Sequence, residues 1–534
     1  MVSSCGVVSR VLVGLALVAL GACAGDGDGG TADVVDSGGD TVSDVGGGDG
    51  GPLVSAVPRA VTVARATAIP ACTLHVDAAS GAGDGSAATP FKTIAAAVAA
   101  AADAAVICVA EGTYPESLAP GAKPLTLAGG FQSGQLFAVR DSSLYVSKAQ
   151  GAGTGSFVRI EDPGPTEGQL TAIDGFEITG YSQAIYRDIY YGQRFDITHC
   201  HIHDNACTDP QQVGAGFALN NVSGTIADNV IARNTCSRGG AGALNDSTNT
   251  SQVAITGNRV EANAGDQPDI SHGGGLYLFA NQLTITGNLF LANTVTAWGA
   301  GLYVGAYTGG GQTTTARLSY NVYRDNRAGA SGGGFFCDDS ARCVSDHEIY
   351  DSNCGGNIFL DSGPDDAGPT VATFDHLTSY RGLEVGCGAP GAGVQITKNN
   401  TAADSFAFTH AIFWGQATGR DFETSCGSGC TKAKVSVAYS NVQTAFANDG
   451  IAIAFGASGL ISVDPLFVDA AAHDFHLQSA FGHWTPSGYV TDATSSPALS
   501  AGDPASKTPN NPDRAGTRSE LGAYGDSPEA SYVR

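Results

Sequence analysis

From about residue 197 the chain is built of short apolar pieces that alternate with polar positions and never run long. Val253-Ala254-Ile255-Thr256 and Leu283-Thr284-Ile285-Thr286 set apolar side chains two apart, and Gly or Asn interrupts within a few residues. A period of two predicts strands, and breaks this frequent exclude long helices. Gly-rich clusters punctuate the run: Gly214 to Gly216, Gly240 to Gly242, Gly273 to Gly275, Gly299 to Gly301 and Gly332 to Gly334. The triplets that follow them are Phe217-Ala218-Leu219, Ala243-Leu244-Asn245, Leu276-Tyr277-Leu278, Leu302-Tyr303-Val304 and Phe335-Phe336-Cys337. Alternation predicts their first and third residues inside and the second outside.

Between these clusters lie four Asn pairs of identical spacing: Asn229 and Asn234, Asn258 and Asn263, Asn288 and Asn293, Asn321 and Asn326. Each first Asn has an apolar residue three before it (Ile226, Ile255, Ile285, Leu318) and another two after it (Ile231, Val260, Phe290, Tyr323). Ile197, Cys200, Ile202 and Asn205 fit one step upstream, with Cys in the first Asn place. Successive pairs are 29, 30 and 33 residues apart, the scale of a solenoid repeat. A unit of that length holding several short strands predicts one coil of a parallel β-helix, and the whole chain gives on the order of a dozen coils stacked ~4.8 Å apart. Asn suits the turns because it tolerates left-handed backbone angles and its amide can bond along an internal ladder.

Composition agrees. Gly is 74 of 534 residues and charged residues are only 14%, which supports helices poorly, while 43% hydrophobic residues exclude a chain disordered throughout. With 26 basic against 51 acidic residues the net charge is −25, so nucleic acid is excluded as a partner.

The N-terminus reads as an address. One positive residue, Arg10, precedes an apolar run from Val11 to Leu20 that is too short to span a bilayer. Leu20-Gly21-Ala22-Cys23 then resembles the bacterial lipobox, which implies cleavage before Cys23, its acylation, and membrane attachment. Ala24 in the next place implies, by resemblance to enterobacterial sorting, the outer membrane or cell surface over the inner membrane. Residues 23–71 form a Gly- and Asp-rich segment expected to be a flexible tether. The expected organisation is a signal peptide at 1–22, the lipidated Cys and tether at 23–71, an N-terminal cap and first coils at 72–150, β-helix repeats at 151–445, and C-terminal coils and cap at 446–534.

The ends of the folded part resemble a known group. Leu74-His75-Val76-Asp77, Thr89-Pro90-Phe91-Lys92-Thr93-Ile94 with its Ala-rich helix, and Glu111-Gly112-Thr113-Tyr114 resemble the N-terminal cap and first coil of bacterial pectate-lyase-like right-handed β-helix proteins. Asp464-Pro465-Leu466-Phe467, Asp474-Phe475-His476-Leu477 and Glu520-Leu521-Gly522-Ala523-Tyr524-Gly525 resemble the choice-of-anchor Q type of surface protein. The resemblance implies an all-β fold, one right-handed parallel β-helix with a short N-terminal capping helix. Its members include lyases, hydrolases, epimerases and adhesins, so it fixes no activity.

Beyond Cys5 and Cys23, eleven Cys remain in an exported chain, where disulfides are expected. Cys207 and Cys236 lie two residues after the closing Asn of successive units and should meet on adjacent coils. Sequence proximity suggests Cys72 with Cys108, Cys337 with Cys343, Cys354 with Cys387, and Cys426 with Cys430. Cys200 is left as a buried free thiol. No Cys pair has metal-ligand spacing with nearby His, so no metal site or cofactor is expected. The acidic surface can attract Ca2+, but no motif fixes it.

Two regions could carry function. Tyr277, Tyr303 and Phe336 are expected as an outward aromatic ladder, suited to sugar rings or serving only to stabilise that face. Asp338, Asp339, Arg342, Asp346, His347 and Glu348 are the densest ionisable group, with the residue types a lyase or epimerase needs. They lack the family signatures: Asp346-His347-Glu348 matches the Asp-Pro-His-Glu motif of mannuronan epimerases only in part, without its Pro, and a disulfide-closed solvated loop is the competing reading. His199, His201 and His203 alternate as on a strand, as a metal face or as plain surface histidines. The sequence favours a monomeric, non-catalytic binding or adhesion scaffold for polysaccharide or another cell-surface molecule, over a lyase or epimerase acting on uronate-containing glycans.

Overall fold

A computed structural model of the chain describes residues 64–533 except 122, 162–169, 268–270, 307–312, 364–367, 384–391, 417–419, 427–432, 445–446, 450–451, 456–458 and 507–517. The expected signal peptide, Cys23 and the tether up to residue 63 lie outside the described residues, as do Cys387 and Cys430.

A representative coil runs through Leu276–Phe279, Gln282–Thr286, Leu289–Leu291 and Thr294–Val295 before the next begins at Leu302–Val304. Every strand pairs in parallel with its counterpart one coil on: Leu276 with Leu302, Ile285 with Leu318, Phe290 with Tyr323. The third strand of each coil joins a twelve-stranded sheet running from Gly112–Tyr114 to Asn441–Val442, so twelve coils stack through it. This is a parallel β-helix. Its N-terminal side carries the expected helix, Ile94–Ala100, whose start is held by Thr93 and by the Glu116 carboxylate, which accepts from the Ile94 and Ala95 amides at 2.9 and 2.7 Å.

Inward side chains at one register form rows through the core. Phe290, Tyr323 and Tyr350 stack at 4.9 and 4.7 Å with rings within 6° of parallel. One coil departs from the alternation expected of it: Gly242, not Ala243, takes the inward place, and Ala243 pairs outward with Ala218 and Tyr277. The Phe217 ring fills the space, 2.1 Å from where a Cβ on Gly242 would sit, so only Gly fits there.

The Asn pairs form two internal ladders. The Asn258 amide N–H and Nδ2 both donate to Asn288 Oδ1 at 2.9 Å, and Nδ2 donates back to the Ile226 carbonyl at 2.8 Å. The same pattern recurs at Asn229, Asn288, Asn234, Asn263 and Asn293, all fully buried. The left-handed residue of each turn is the one before the Asn: Asp228, Gly257, Gly287 and Tyr320 precede the first Asn, and Arg233, Ala262, Ala292 and Asp325 the second. Asn stands there for the ladder bonds and not for backbone tolerance, because every polar atom of its amide is used.

Disulfides join Cys72 to Cys108, Cys207 to Cys236 and Cys337 to Cys343. Cys207 and Cys236 are 4.9 Å apart at Cα on adjacent coils. Cys337 and Cys343 are both fully buried in the main core, so their bridge does not close a solvated loop. Cys354 and Cys426 are also disulfide-bonded. Cys200 is a buried free thiol whose backbone N–H donates to Asn229 Oδ1 at 2.9 Å.

The C-terminal segment lies along the outer face of the twelve-stranded sheet. Phe475, Ala523 and Tyr524 cover Leu289, Val322 and Ile349, and Leu477, Ala498 and Leu521 cover Ile412. These sheet residues are apolar on their outward side because this segment takes them out of water.

Candidate functional site

The ionisable group from Asp338 to Glu348 is not one site. Glu348 points inward and continues the first Asn ladder: Asn321 N and Nδ2 donate to its Oε1 at 3.1 and 2.9 Å. Full burial pushes its carboxyl up to about 8. Arg342 is exposed on another strand position. Asp338 and Asp339 accept the Tyr303 hydroxyl at 2.8 and 3.0 Å. Burial first, then the charges of Asp339 and Asp361, hold the Asp338 carboxyl well above its ordinary range, and burial raises Asp361 to about 6.

His347 belongs to a stack that sequence reasoning missed. His347, His376 and His410 occupy the same left-handed turn on three coils, with centroids 4.9 and 4.7 Å apart. Asp346 Oδ1 is 2.7 Å from His347 Nδ1, and Asp375 Oδ1 is 2.7 Å from His410 Nδ1. The other ring edges face the C-terminal segment: His347 Nε2 donates to the Gly525 carbonyl at 2.8 Å, His376 Nε2 meets Ser519 Oγ at 2.6 Å, and His410 Nε2 accepts from the Asp503 amide at 3.1 Å. Burial opposes the charged form of both His347 and His376; the Asp346 carboxylate makes the net shift of His347 upward, while that of His376, between its neighbours, is downward. The stack fastens the covering segment to the coils. Its signal was present in the sequence, since His347, His376 and His410 each directly precede a first-ladder position.

The aromatic ladder has the expected register, Tyr277 to Tyr303 to Phe336, and Phe359 continues it. Centroids are 5.0, 4.9 and 4.5 Å apart. The expected exposure is corrected: Tyr303 and Phe336 are 3% and 2% exposed, and only Tyr277 is half-buried. Phe279 and Phe359 pack beside them, with His272 and Trp298 at the rim. Outward of the coil is therefore not outward to water, and sugar rings cannot stack on Tyr303 or Phe336 as they stand.

An open face remains on the second strands of the coils. Arg194, Ser223, Thr225, Gln252, Gln282 and Thr284, from four successive strands, line a groove of about 390 Å³. Gly224 allows the groove floor its shape: φ is 146°, and a Cβ there would lie 2.0 Å from the Phe195 carbonyl oxygen. Asp196 lies just under one end, accepting from Thr225 N at 2.8 Å and Arg194 Nε at 3.3 Å. Among the described residues that line the groove, none carries a carboxylate. His199 is taken up by Asp174, 2.7 Å from its Nδ1, and His201 and His203 face outward from the twelve-stranded sheet beside Glu177.

Comparison with known families bears on the hand of the coils. Residues 172–314 match the family model described as "Right handed beta helix region". The fold is a right-handed parallel β-helix. Residues 439–502 match the model described as "Disaggregatase related". Among solved structures the chain is similar to pectate lyase Pel9A, with 13% identity, a TM-score of 0.38, and 85% of this chain and 97% of that chain covered. No curated protein matches the sequence.

Proposed function

We propose that the protein is a lipid-anchored cell-envelope scaffold that binds polysaccharide along its coils and does not cleave it. The groove from Arg194 to Thr284 carries this reading, because it offers hydroxyl and amide side chains from three coils and one guanidinium from a fourth, with no carboxylate among its described lining residues. Such groups hydrogen-bond sugar hydroxyls, whereas glycoside hydrolysis needs two carboxylates flanking the bond. The net charge of −25 repels dense polyanions, which favours neutral or sparsely charged polymers. The lipobox-like Cys23 and the Gly- and Asp-rich segment after it support attachment to the outer membrane or cell surface.

Affinity electrophoresis through gels holding neutral glucan, xylan or uronate polymers tests the reading. The protein should be retarded by at least one neutral polymer, and Arg194→Ala with Gln252→Ala should weaken retardation about tenfold without changing thermal unfolding. Equal retardation of the double variant, or none of the unaltered protein, would overturn it.

A second reading, a lyase or epimerase acting on uronate-containing glycans, is favoured by one observation. Asp338 and Asp339 both accept from the Tyr303 hydroxyl, and the charge of Asp361, itself raised, acts on Asp338, a grouping of the kind acid–base sites use. Against it, Asp338 is 9% exposed.

A further inference from the structure

Glu177, His201 and His203 form a cluster that the glycan reading does not use. His201 and His203 are two apart on one strand with Ile202 buried between them, so both rings leave the same side of the twelve-stranded sheet, 4.1 Å apart. Glu177 is directly opposite His201 on the neighbouring coil. One ligand atom from each of the three lies within 4.8 Å of the others. All three side chains are half-buried, so the cluster is reachable from solvent.

The hydrogen bonding around His203 is informative. Its Nδ1 is 2.6 Å from Asp204 Oδ2, and Arg233 grips the same carboxylate through Nε at 2.9 Å and Nη2 at 2.8 Å. The carboxylate can only accept, so Nδ1 carries a hydrogen and the ring's other nitrogen, Nε2, is aimed away from Asp204. That Nε2 is buried and faces Glu177 Oε1 at 3.4 Å. A carboxylate that holds one nitrogen of a histidine and so aims the other is the arrangement found behind metal-ligating histidines. His201 makes no hydrogen bond among the described residues, so neither of its ring nitrogens is committed to another side chain there.

We propose that Glu177, His201 and His203 bind a divalent transition-metal ion of the zinc, nickel or copper class. Two imidazoles and one carboxylate suit these ions better than Ca2+ or Mg2+, which take oxygen ligands. Bonds of about 2.0–2.1 Å bring ligand atoms to roughly 3.4 Å apart, a closure of the present spacing that side-chain rotation supplies. Lys148 opposes the ion: its Nζ is 2.8 Å from the same Glu177 oxygen, so binding must displace the ammonium from that oxygen.

Untagged full-length protein titrated calorimetrically with Zn2+ tests this. A one-to-one site is expected, weakened at least tenfold in His201→Ala, His203→Ala and Glu177→Gln and tightened in Lys148→Met. His376→Ala, which disturbs the other histidine group, should leave it unchanged. If the alanine variants unfold, one equivalent of Cu2+ on the unaltered protein decides by electron paramagnetic resonance: coupling to two imidazole nitrogens is expected. Fewer than two nitrogens, no stoichiometric binding, or an affinity indifferent to His201 and His203 would overturn the proposal.

Discussion

Replacing Asn288 by Ala is expected to lower the stability of the β-helix by about 4 kcal/mol in urea unfolding. Asn288 Oδ1 accepts from both Asn258 N and Asn258 Nδ2, and its own Nδ2 donates to the Ile255 carbonyl at 2.8 Å and Asn321 Oδ1 at 2.9 Å. Ala removes every one of these and leaves two buried N–H groups of Asn258 short of the acceptor they shared, in a site with no access to water. Because each coil touches mainly its neighbours, the loss sits in the middle of the stack and should also broaden the transition. Gln282→Ala, on the exposed face one strand away, should change stability by less than about 0.5 kcal/mol. Similar effects for the two substitutions would mean that the ladder bonds do not hold the coils together.

Glu348→Gln is expected to stabilise the protein, and only above about pH 5. The native carboxyl titrates at about 8 because it is buried, while in the unfolded chain it titrates near 4.3. A raised native pKa means that the folded state holds a proton the unfolded state has lost. Stability from this group is therefore full below the unfolded value and falls as pH rises toward 8. At about 1.4 kcal/mol per unit the accumulated difference at pH 8 is on the order of 4 kcal/mol. Gln keeps the acceptor for Asn321 N and Nδ2 and has no proton to lose. Thermal unfolding of both proteins from pH 4 to pH 8 checks this: the curves should meet at pH 4 and separate steadily. Parallel curves would place Glu348 in contact with solvent or another charge.

The same residue shows what the sequence could and could not say. Glu348 and Asn353 are five apart, as the Asn pairs are, and Asn326 N donates to Asn353 Oδ1 at 3.1 Å just as Asn321 N does to Glu348. The repeat is thus readable one coil further, but a charged residue at a ladder position points to chemistry because sequence alone does not reveal burial. The strand alternation behind Tyr277, Tyr303 and Phe336 was also legible, since local period fixes which side of a coil a residue leaves. What covers that side was not, because Phe279, Trp298 and His272 reach it from neighbouring turns. The covering of Leu289, Val322 and Ile349 by Tyr524 is a contact across about two hundred residues, and no local pattern encodes it. The groove has no sequence signature, because Ser, Thr and Gln on an outward strand face look like ordinary solvated positions until the backbone sets them side by side.

The central claim, binding without cleavage, is tested most directly by product analysis on the bound polymer. Full-length protein is incubated with xylan, polygalacturonate and alginate, with and without Ca2+, and each polymer is then examined by size-exclusion chromatography, ultraviolet absorbance and NMR. The account predicts retention of at least one polymer with its chain length, saturation and stereochemistry unchanged. Shortened chains, unsaturated ends or inverted uronate residues, abolished by Asp338→Asn, would contradict it and place an enzyme active site beside Tyr303.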